Sequence, residues 1–289
     1  MSKKISFLVA GAILVTGLVI GQTTAARDAV NNPDDPDGIL WKPIPEKVVV
    51  LTFDDSCASH ATFVGPLLKK LGFGGTFYIT EAFTDKTKYM SWEQIKAMQD
   101  MGFEIGNHSM RHLMYNKMSV EDCIRETTGI EALCVTNHVA KPTTICWPMY
   151  RVNNEFLPVL AGKGYCFGRC GNPRFAGERP YVPTVDNPFV TPSFSFYETL
   201  LKGTDSFANA AKQATAGKIV IFTFHGVPDL EHPNVGTEPA TFEACMNYLK
   251  DNHYTVIAMR DMTNYIDAAK AVKLLGNKPL VPLTRKKQK

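Results

Sequence analysis

The chain is 289 residues long, with 31 Lys and Arg against 28 Asp and Glu, and 45% of it is hydrophobic. A formal charge of only +3 makes no case for a polyanion partner beyond a small basic C-terminal tail, so no nucleic-acid partner is expected, and the apolar share excludes a disordered chain. The seven cysteines are too few for a disulfide-dependent fold of this size, and their odd count leaves at least one thiol unpaired within the chain.

Lys3 and Lys4, the apolar stretch Leu8 to Ile20 and the small-residue zone Thr23-Thr24-Ala25-Ala26 read as a signal peptide over residues 1–25. Export to a secreted or periplasmic/extracellular location follows, with no stable membrane span after cleavage; an uncleaved anchor is the alternative. Losing the two lysines takes the formal charge from +3 to +1. A polar lead is expected over 26–45, one folded domain over 46–272, and a basic tail over 273–289 that carries Arg285-Lys286-Lys287-Lys289.

In chain order, Val48 to Phe53 is a β-branched, apolar run that predicts a strand, ending in Asp54-Asp55. A helix over Ala61 to Leu71 stops at Gly72, and Thr76 to Ile79 is the next strand. Ser91 is an N-cap for a helix over Trp92 to Met101, stopped by Gly102, and Glu104 to Gly106 leads as a strand into His108-Ser109-Met110-Arg111-His112. A third helix covers Ser119 to Asn137. The strand Thr143 to Trp147 is cut by Pro148, the helix Asn154 to Lys163 stops at Gly164, and the strand Tyr165 to Arg169 follows.

Prolines and glycines dominate between Cys170 and Phe196, which predicts long loops beside the site. A helix over Glu198 to Ala216, the strand Lys218 to Phe224 ending in His225, a helix over Pro239 to Asn252, the strand Tyr254 to Ala258 and a last helix complete the chain. Strands alternating with helices predict an α/β fold. Cys166 with Cys170 and Cys123 with Cys134 are candidate disulfides, against the reading that they are small buried apolar residues.

Two acids at a strand end and two histidines at i and i+4 have metal-site spacing; in a helix or tight turn both rings leave one face. An Asp-His-His set suits zinc, which takes three protein ligands in catalytic sites and keeps a position for water. His225 repeats the design of an ionisable group ending an apolar strand and is the third candidate.

Thr52-Phe53-Asp54-Asp55, His108-Ser109-Met110-Arg111-His112 and Phe224-His225, in this order and spacing, make the chain resemble the polysaccharide deacetylase family, the NodB-homology carbohydrate esterases of family four. The resemblance implies a distorted (β/α) barrel with fewer strands than a regular eight-stranded one. It implies Zn2+, or another divalent transition metal such as Co2+, on Asp55, His108 and His112, with Asp54 as general base and His225 as general acid. The substrate implied is an acetylated glycan, losing N-acetyl or O-acetyl groups. A backbone N–H near Met149 would help hold the oxyanion.

Three departures from the family pattern stand out. Cys146, in Ile145-Cys146-Trp147-Pro148, occupies the place of an arginine that orients the base, and Arg169 is the candidate to reach the same carboxylate from the next strand. The acid expected to polarise His225 is not clear: Asp186 is the nearest candidate, with Asp229 and Asp261 competing. Ser56 replaces a glycine after the acid pair, and His60 falls at a helix start. Trp147 and Tyr150 are candidates for stacking on sugar. The rival readings are a secreted, metal-bearing glycan-binding protein without turnover and a hydrolase of a small non-glycan amide.

Overall fold

The computed structural model describes residues 34–171, 178–197 and 203–278. The leader 1–25, the end of the basic tail and the start of the helix expected at Glu198 lie outside them. Among the described residues no helix is long and apolar enough to cross a membrane.

Among the described residues eight strands form one sheet, and every pairing between them is parallel. They are β1 (Val48–Phe53), β2 (Thr76–Ile79), β3 (Glu104–Asn107), β4 (Thr144–Cys146), β5 (Phe167–Arg169), β6 (Phe194–Ser195), β7 (Val220–Phe224) and β8 (Thr255–Ile257). Seven of them follow the path β5-β4-β3-β2-β1-β7-β6. β8 stands off it, pairing with the first half of β1 on the flank where β2 takes the second half. A bridge between Arg169 and Thr191 links β5 to the segment entering β6, so the seven-strand path, without β8, curls toward closure on fewer strands than a regular eight-stranded barrel. This is the distorted (β/α) barrel expected from the motifs.

The helices are α1 (Gly65–Leu71), α2 (Trp92–Asp100), α3 (Val120–Thr136), α4 (Leu157–Gly162), α5 (Gly203–Ala211), α6 (Pro239–Asp251) and α7 (Ala268–Leu275). Their local causes are those legible in the sequence. Ser91 accepts from the Gln94 backbone while Gln94 reaches back to Ser91, a capping box, and Ser119 caps α3 through Asp122 N. Gly72 ends α1 with φ of 72°, a left-handed turn that a side chain resists.

Period-two alternation sorts β1 and β7 into two cores. Val49, Leu51, Phe53, Val220, Phe222 and Phe224 face the helices. Val48, Val50, Ile219 and Ile221 face the barrel interior with Tyr78, Cys146 and Phe167. Tyr78 is admitted because position 106 is glycine: a Cβ there would stand 2.4 Å from its ring. Both clusters are buried and apolar, and their burial is the main source of stability.

Two expected boundaries move. The lead 26–45 is not wholly outside the core: buried Asp35 accepts from Ile39 N and Leu40 N at 2.7 Å each, and Ile39 and Ile44 join the interior cluster. α7 runs to Leu275, past the expected domain edge at 272. Among the described residues no disulfide joins any of the seven cysteines. Cys123 and Cys134 are eleven residues apart on α3, about 16 Å along its axis, and Cys166 and Cys170 flank the extended β5, so neither pair meets the roughly 7 Å limit for a disulfide.

Candidate active site

Because the strands are parallel, their C-terminal ends share one rim, and register decides which side chains meet there. Phe53 pairs with Phe224, which sets Asp54 beside His225 one step on. Asn107 pairs with Ile145 and Cys146 with Arg169, which lines up His108, Cys146 and Arg169 across three neighbouring strands. The five sequence candidates Asp54, Asp55, His108, His112 and His225, with Arg169, thus converge.

Asp55 leaves β1 with φ of 72°, followed by Ser56 at 56°, a strained turn at the head of the site. Its Oδ1 lies 3.3 Å from His108 Nε2 and 3.3 Å from His112 Nε2, and its Oδ2 lies 3.6 Å from His225 Nε2. The histidine pair is held not by a helix but by a turn, with Ser109 at φ of 67° and His112 at 52°. Asn107 Oδ1 accepts from Ser109 N at 2.9 Å, and Ser109 Oγ accepts from His112 N at 3.0 Å.

Asp55, His108 and His112 fit a divalent cation. In the neutral ring His108 Nδ1 donates to the Cys146 carbonyl at 2.9 Å, which leaves the Nε2 lone pair facing a buried carboxylate. Asp55 Oδ1 itself is buried with no hydrogen-bond partner among the described residues. Lone pairs converging from a carboxylate and imidazoles are stable only around a cation or a proton. In the metal-free protein, burial disfavours charge on His108, yet Cys146 and the nearby carboxylates of Asp55 and Asp54 raise its pKa well above the ordinary value. Burial pushes Asp55 up, but the three histidines outweigh it and hold that carboxyl well below the usual range.

Asp54 is buried and differently engaged. Its Oδ2 accepts from Arg169 Nη2 and lies 3.6 Å from Cys146 Sγ, while its Oδ1 is buried and has no hydrogen-bond partner among the described residues. Burial raises its pKa, but Arg169 first, then His108 and His225, bring it below the ordinary carboxylate value. Arg169 is fully buried. Nη1 donates to Thr223 Oγ1, and the guanidinium carbon stands 5.7 Å from the Tyr78 ring and 5.4 Å from that of Tyr150. Arg169 therefore occupies, from β5, the place beside Asp54 where the family pattern puts an arginine from β4. Asp54, His108 and Cys146 also lie within mutual reach of one ion, but the guanidinium already packs against both Asp54 and Cys146.

The remaining candidates divide. Asp186 does not reach His225: it pairs with Arg179 at 2.7 Å through both oxygens and caps Val182 N at 2.8 Å. Its Pro-rich segment folds back on itself rather than toward the rim. Asp229 accepts from Gly226 N, Glu231 N and His232 N, and Asp261 from Ala258 N. No carboxylate therefore meets His225 Nδ1 among the described residues. Trp147 is wholly buried, its indole donating to Phe189 O at 2.8 Å, so it is core and not a sugar-stacking face. Met149 is exposed, and it and Tyr150 take successive positive φ of 51° and 56°.

Tyr197 was not read from the sequence as a site residue. Its ring meets His225 edge-on at 5.3 Å and its hydroxyl meets that of Tyr150 at 2.6 Å. The signal was the alternation Phe194-Ser195-Phe196-Tyr197, a short strand hidden by its proline-rich surroundings.

Residues 42–168 match the family model described as polysaccharide deacetylase. The match takes in Asp54, Asp55, His108, His112 and Cys146 and stops one residue before Arg169. A Bacillus subtilis protein named for the polysaccharide deacetylases, YxkH, is 27% identical over 150 residues, 52% of this chain and 54% of that protein. A Staphylococcus aureus poly-beta-1,6-N-acetyl-D-glucosamine N-deacetylase is 25% identical over 181 residues, 56% of this chain and 60% of its own length. The chain thus spans little more than half the length of the curated relatives it matches. Among solved structures, the peptidoglycan deacetylase PdaC of Bacillus subtilis superposes with a TM-score of 0.52 at 16% identity, covering 76% of this chain and 91% of that one. The chitin deacetylase of Colletotrichum lindemuthianum gives 0.54 at 15%, covering 78% and 94%, and these likenesses speak for the fold. Over residues 42–168 the chain is thus similar to the polysaccharide deacetylase family, and its fold is that of the solved deacetylases.

Proposed function

We propose that the chain is a metal-dependent hydrolase that removes N-acetyl groups, or O-acetyl groups at the same site, from an exported glycan such as an N-acetylglucosamine polymer or peptidoglycan. One juxtaposition carries this reading: the Asp55, His108 and His112 cluster stands between arginine-paired Asp54 and His225. Asp55, His108 and His112 would hold Zn2+ or Co2+, which when bound supplies Lewis acidity toward the acetyl carbonyl and lowers the pKa of a water.

The protein's own residues do the rest. Arg169 keeps Asp54 ionised and fixes its Oδ2, leaving Oδ1 to take the proton of the attacking water. The turn at Met149 and Tyr150 is assigned to the oxyanion, since its backbone takes two successive positive φ values and the Tyr150 ring packs on Arg169, the partner of Asp54. His225, on the far side of Asp55 from the His108–His112 pair, protonates the departing nitrogen or oxygen. Tyr150 and Tyr197 wall the site on that side. The apolar N-terminal stretch supports export by signal peptide, which would bring the enzyme to glycans outside the cytoplasm.

Acetate release tests this directly. Metal-loaded protein is offered N-acetylglucosamine oligomers, peptidoglycan and acetylated xylan, with Asp54→Ala as control. Release that is abolished in the variant and after chelation is expected. Metal and saturable glycan binding without acetate from any substrate would instead favour a glycan-binding role.

A further inference from the structure

The turn after the acid pair is tied at three points to the loop after β7. Ser59 Oγ accepts from Val227 N at 2.8 Å, the His60 ring meets the His225 carbonyl at 3.0 Å through Nε2, and the Cys57 thiol meets Asp229 Oδ2 at 3.4 Å. Asp229 in turn holds Gly226 N, so the backbone of residues 225–229 is gripped along its length. His60 opens a five-residue π-helical turn, His60–Val64, a local irregularity that often marks functional sites.

His60 is the unexpected member of this set. It is fully buried and packed between Phe53 at 5.6 Å and Phe77 at 5.4 Å. A carbonyl can only accept, so Nε2 must carry the hydrogen. Nδ1 is buried and has no hydrogen-bond partner among the described residues, so it carries none. Burial pushes the pKa down to about 4, against the opposing pull of the His225 carbonyl and Asp229, so the ring is neutral at neutral pH. For packing alone Phe would fill this aromatic pocket without burying two ring nitrogens.

His225 supplies the reason. A histidine used for proton transfer is commonly oriented by a partner on its second nitrogen. Here Nδ1 of His225 has no hydrogen-bond partner among the described residues, and its ring meets only the edge of Tyr197 and Asp55. Orientation must then come through the main chain. We infer that His60 is a positioning residue for His225, its Nε2–H fixing the His225 carbonyl and so aiming the imidazole that carries the proton. The inference rests on the proposed reading of His225 as proton donor.

The test compares His60→Phe, which keeps the aromatic packing, with His60→Gln, whose amide nitrogen can reach the same carbonyl. In the metal-loaded full chain, His60→Phe is expected to lower kcat about 10- to 100-fold with KM and metal content unchanged, as for a displaced catalytic group. His60→Gln should recover most of that loss. Amide exchange at Val227 should quicken in the Phe variant and be restored in the Gln variant. Unchanged kcat in His60→Phe, a Gln variant no better than Phe, or a parallel loss of metal would each overturn the inference. If wild-type protein releases no acetate from any substrate, the functional reading fails by itself. Val227 exchange then decides whether His60 anchors this loop, and unchanged exchange refutes it.

Discussion

Replacing Arg169 by Met isolates the interaction that holds Asp54, the proposed base. The guanidinium and the Asp54 carboxylate are both almost fully buried, at 0% and 3% side-chain exposure, so neither can fall back on solvent when its partner is lost. Removing one member of a buried ion pair costs about 3–5 kcal/mol, most of it the penalty of a stranded charge. For a domain of this size 1 kcal/mol moves Tm by about 2–4 °C, so Arg169→Met should melt roughly 6–20 °C below wild type. Turnover should fall as well, because burial, the largest influence on Asp54, would no longer be opposed by its strongest counter-charge and its pKa would rise. The decisive measurement is a double-mutant cycle with Asp54→Asn, melted in chelator so that metal loss does not enter. Arg169→Met with Asp54→Asn removes both charges and should recover more than half of the lost stability while remaining inactive. A single variant as stable as wild type, or a double variant whose loss is the sum of the two singles, would refute the reasoning.

Asp55→Ala should abolish stoichiometric metal binding, whereas Asp54→Asn should retain the metal and lose turnover; equal metal loss in both, measured by elemental analysis after gel filtration, would dissolve the division of roles. Asp186→Asn should leave kcat within about twofold of wild type, since its partner is Arg179 and surface pairs contribute little, and a tenfold fall would restore it to the site. Glu104 is buried where β3 begins, and burial raises its pKa despite hydrogen bonds from Arg260 N, Thr144 and Thr76. The folded chain therefore holds this proton more tightly than the unfolded chain, so the contribution is fully present below the unfolded pKa and lost as pH rises through the folded one. The urea midpoint of wild type should lose ground to Glu104→Gln over that rise, and a gap moving the other way would contradict the sign.

What the sequence carried well was local or one-dimensional. The N-cap at Ser91, the stop at Gly72 and the apolar runs of β1 and β7 each depend on a few neighbouring residues, and all fell where expected. Asp54, Asp55 and His225 were legible because an ionisable group after a buried parallel strand has little room to be elsewhere than the rim. The segment 170–196 was not. β6 is two residues long, and its place beside β7 comes from long-range pairing of Phe194 with Phe222 and Ser195 with Thr223, which no local pattern encodes. Asp186 illustrates the consequence: its distance from His225 depends on the path of that loop, whereas its true partner lies seven residues away. The disulfide pairings failed for a simpler reason, because sequence proximity inside a helix or across a strand is not spatial proximity.

The missing arginine shows how register changes the meaning of a substitution. Read along the chain, Cys146 is a loss, and a base without its partner argues for reduced turnover or none. In the sheet, Cys146 and Arg169 are register partners on adjacent parallel strands, so their side chains share a face and aim at the same volume. A second arginine at 146 would put two like charges in a buried space already filled by the Arg169 guanidinium, stacked beside Tyr78 and Tyr150. A small, neutral side chain is what that neighbour allows, and burial keeps the Cys146 thiol protonated by raising its pKa against the pull of Arg169. The charge beside Asp54 has moved by one strand, not vanished. The place without a substitute in the described structure is the carboxylate expected at His225 Nδ1, and there the grip passes from the side chain to the backbone that His60, Ser59 and Asp229 hold.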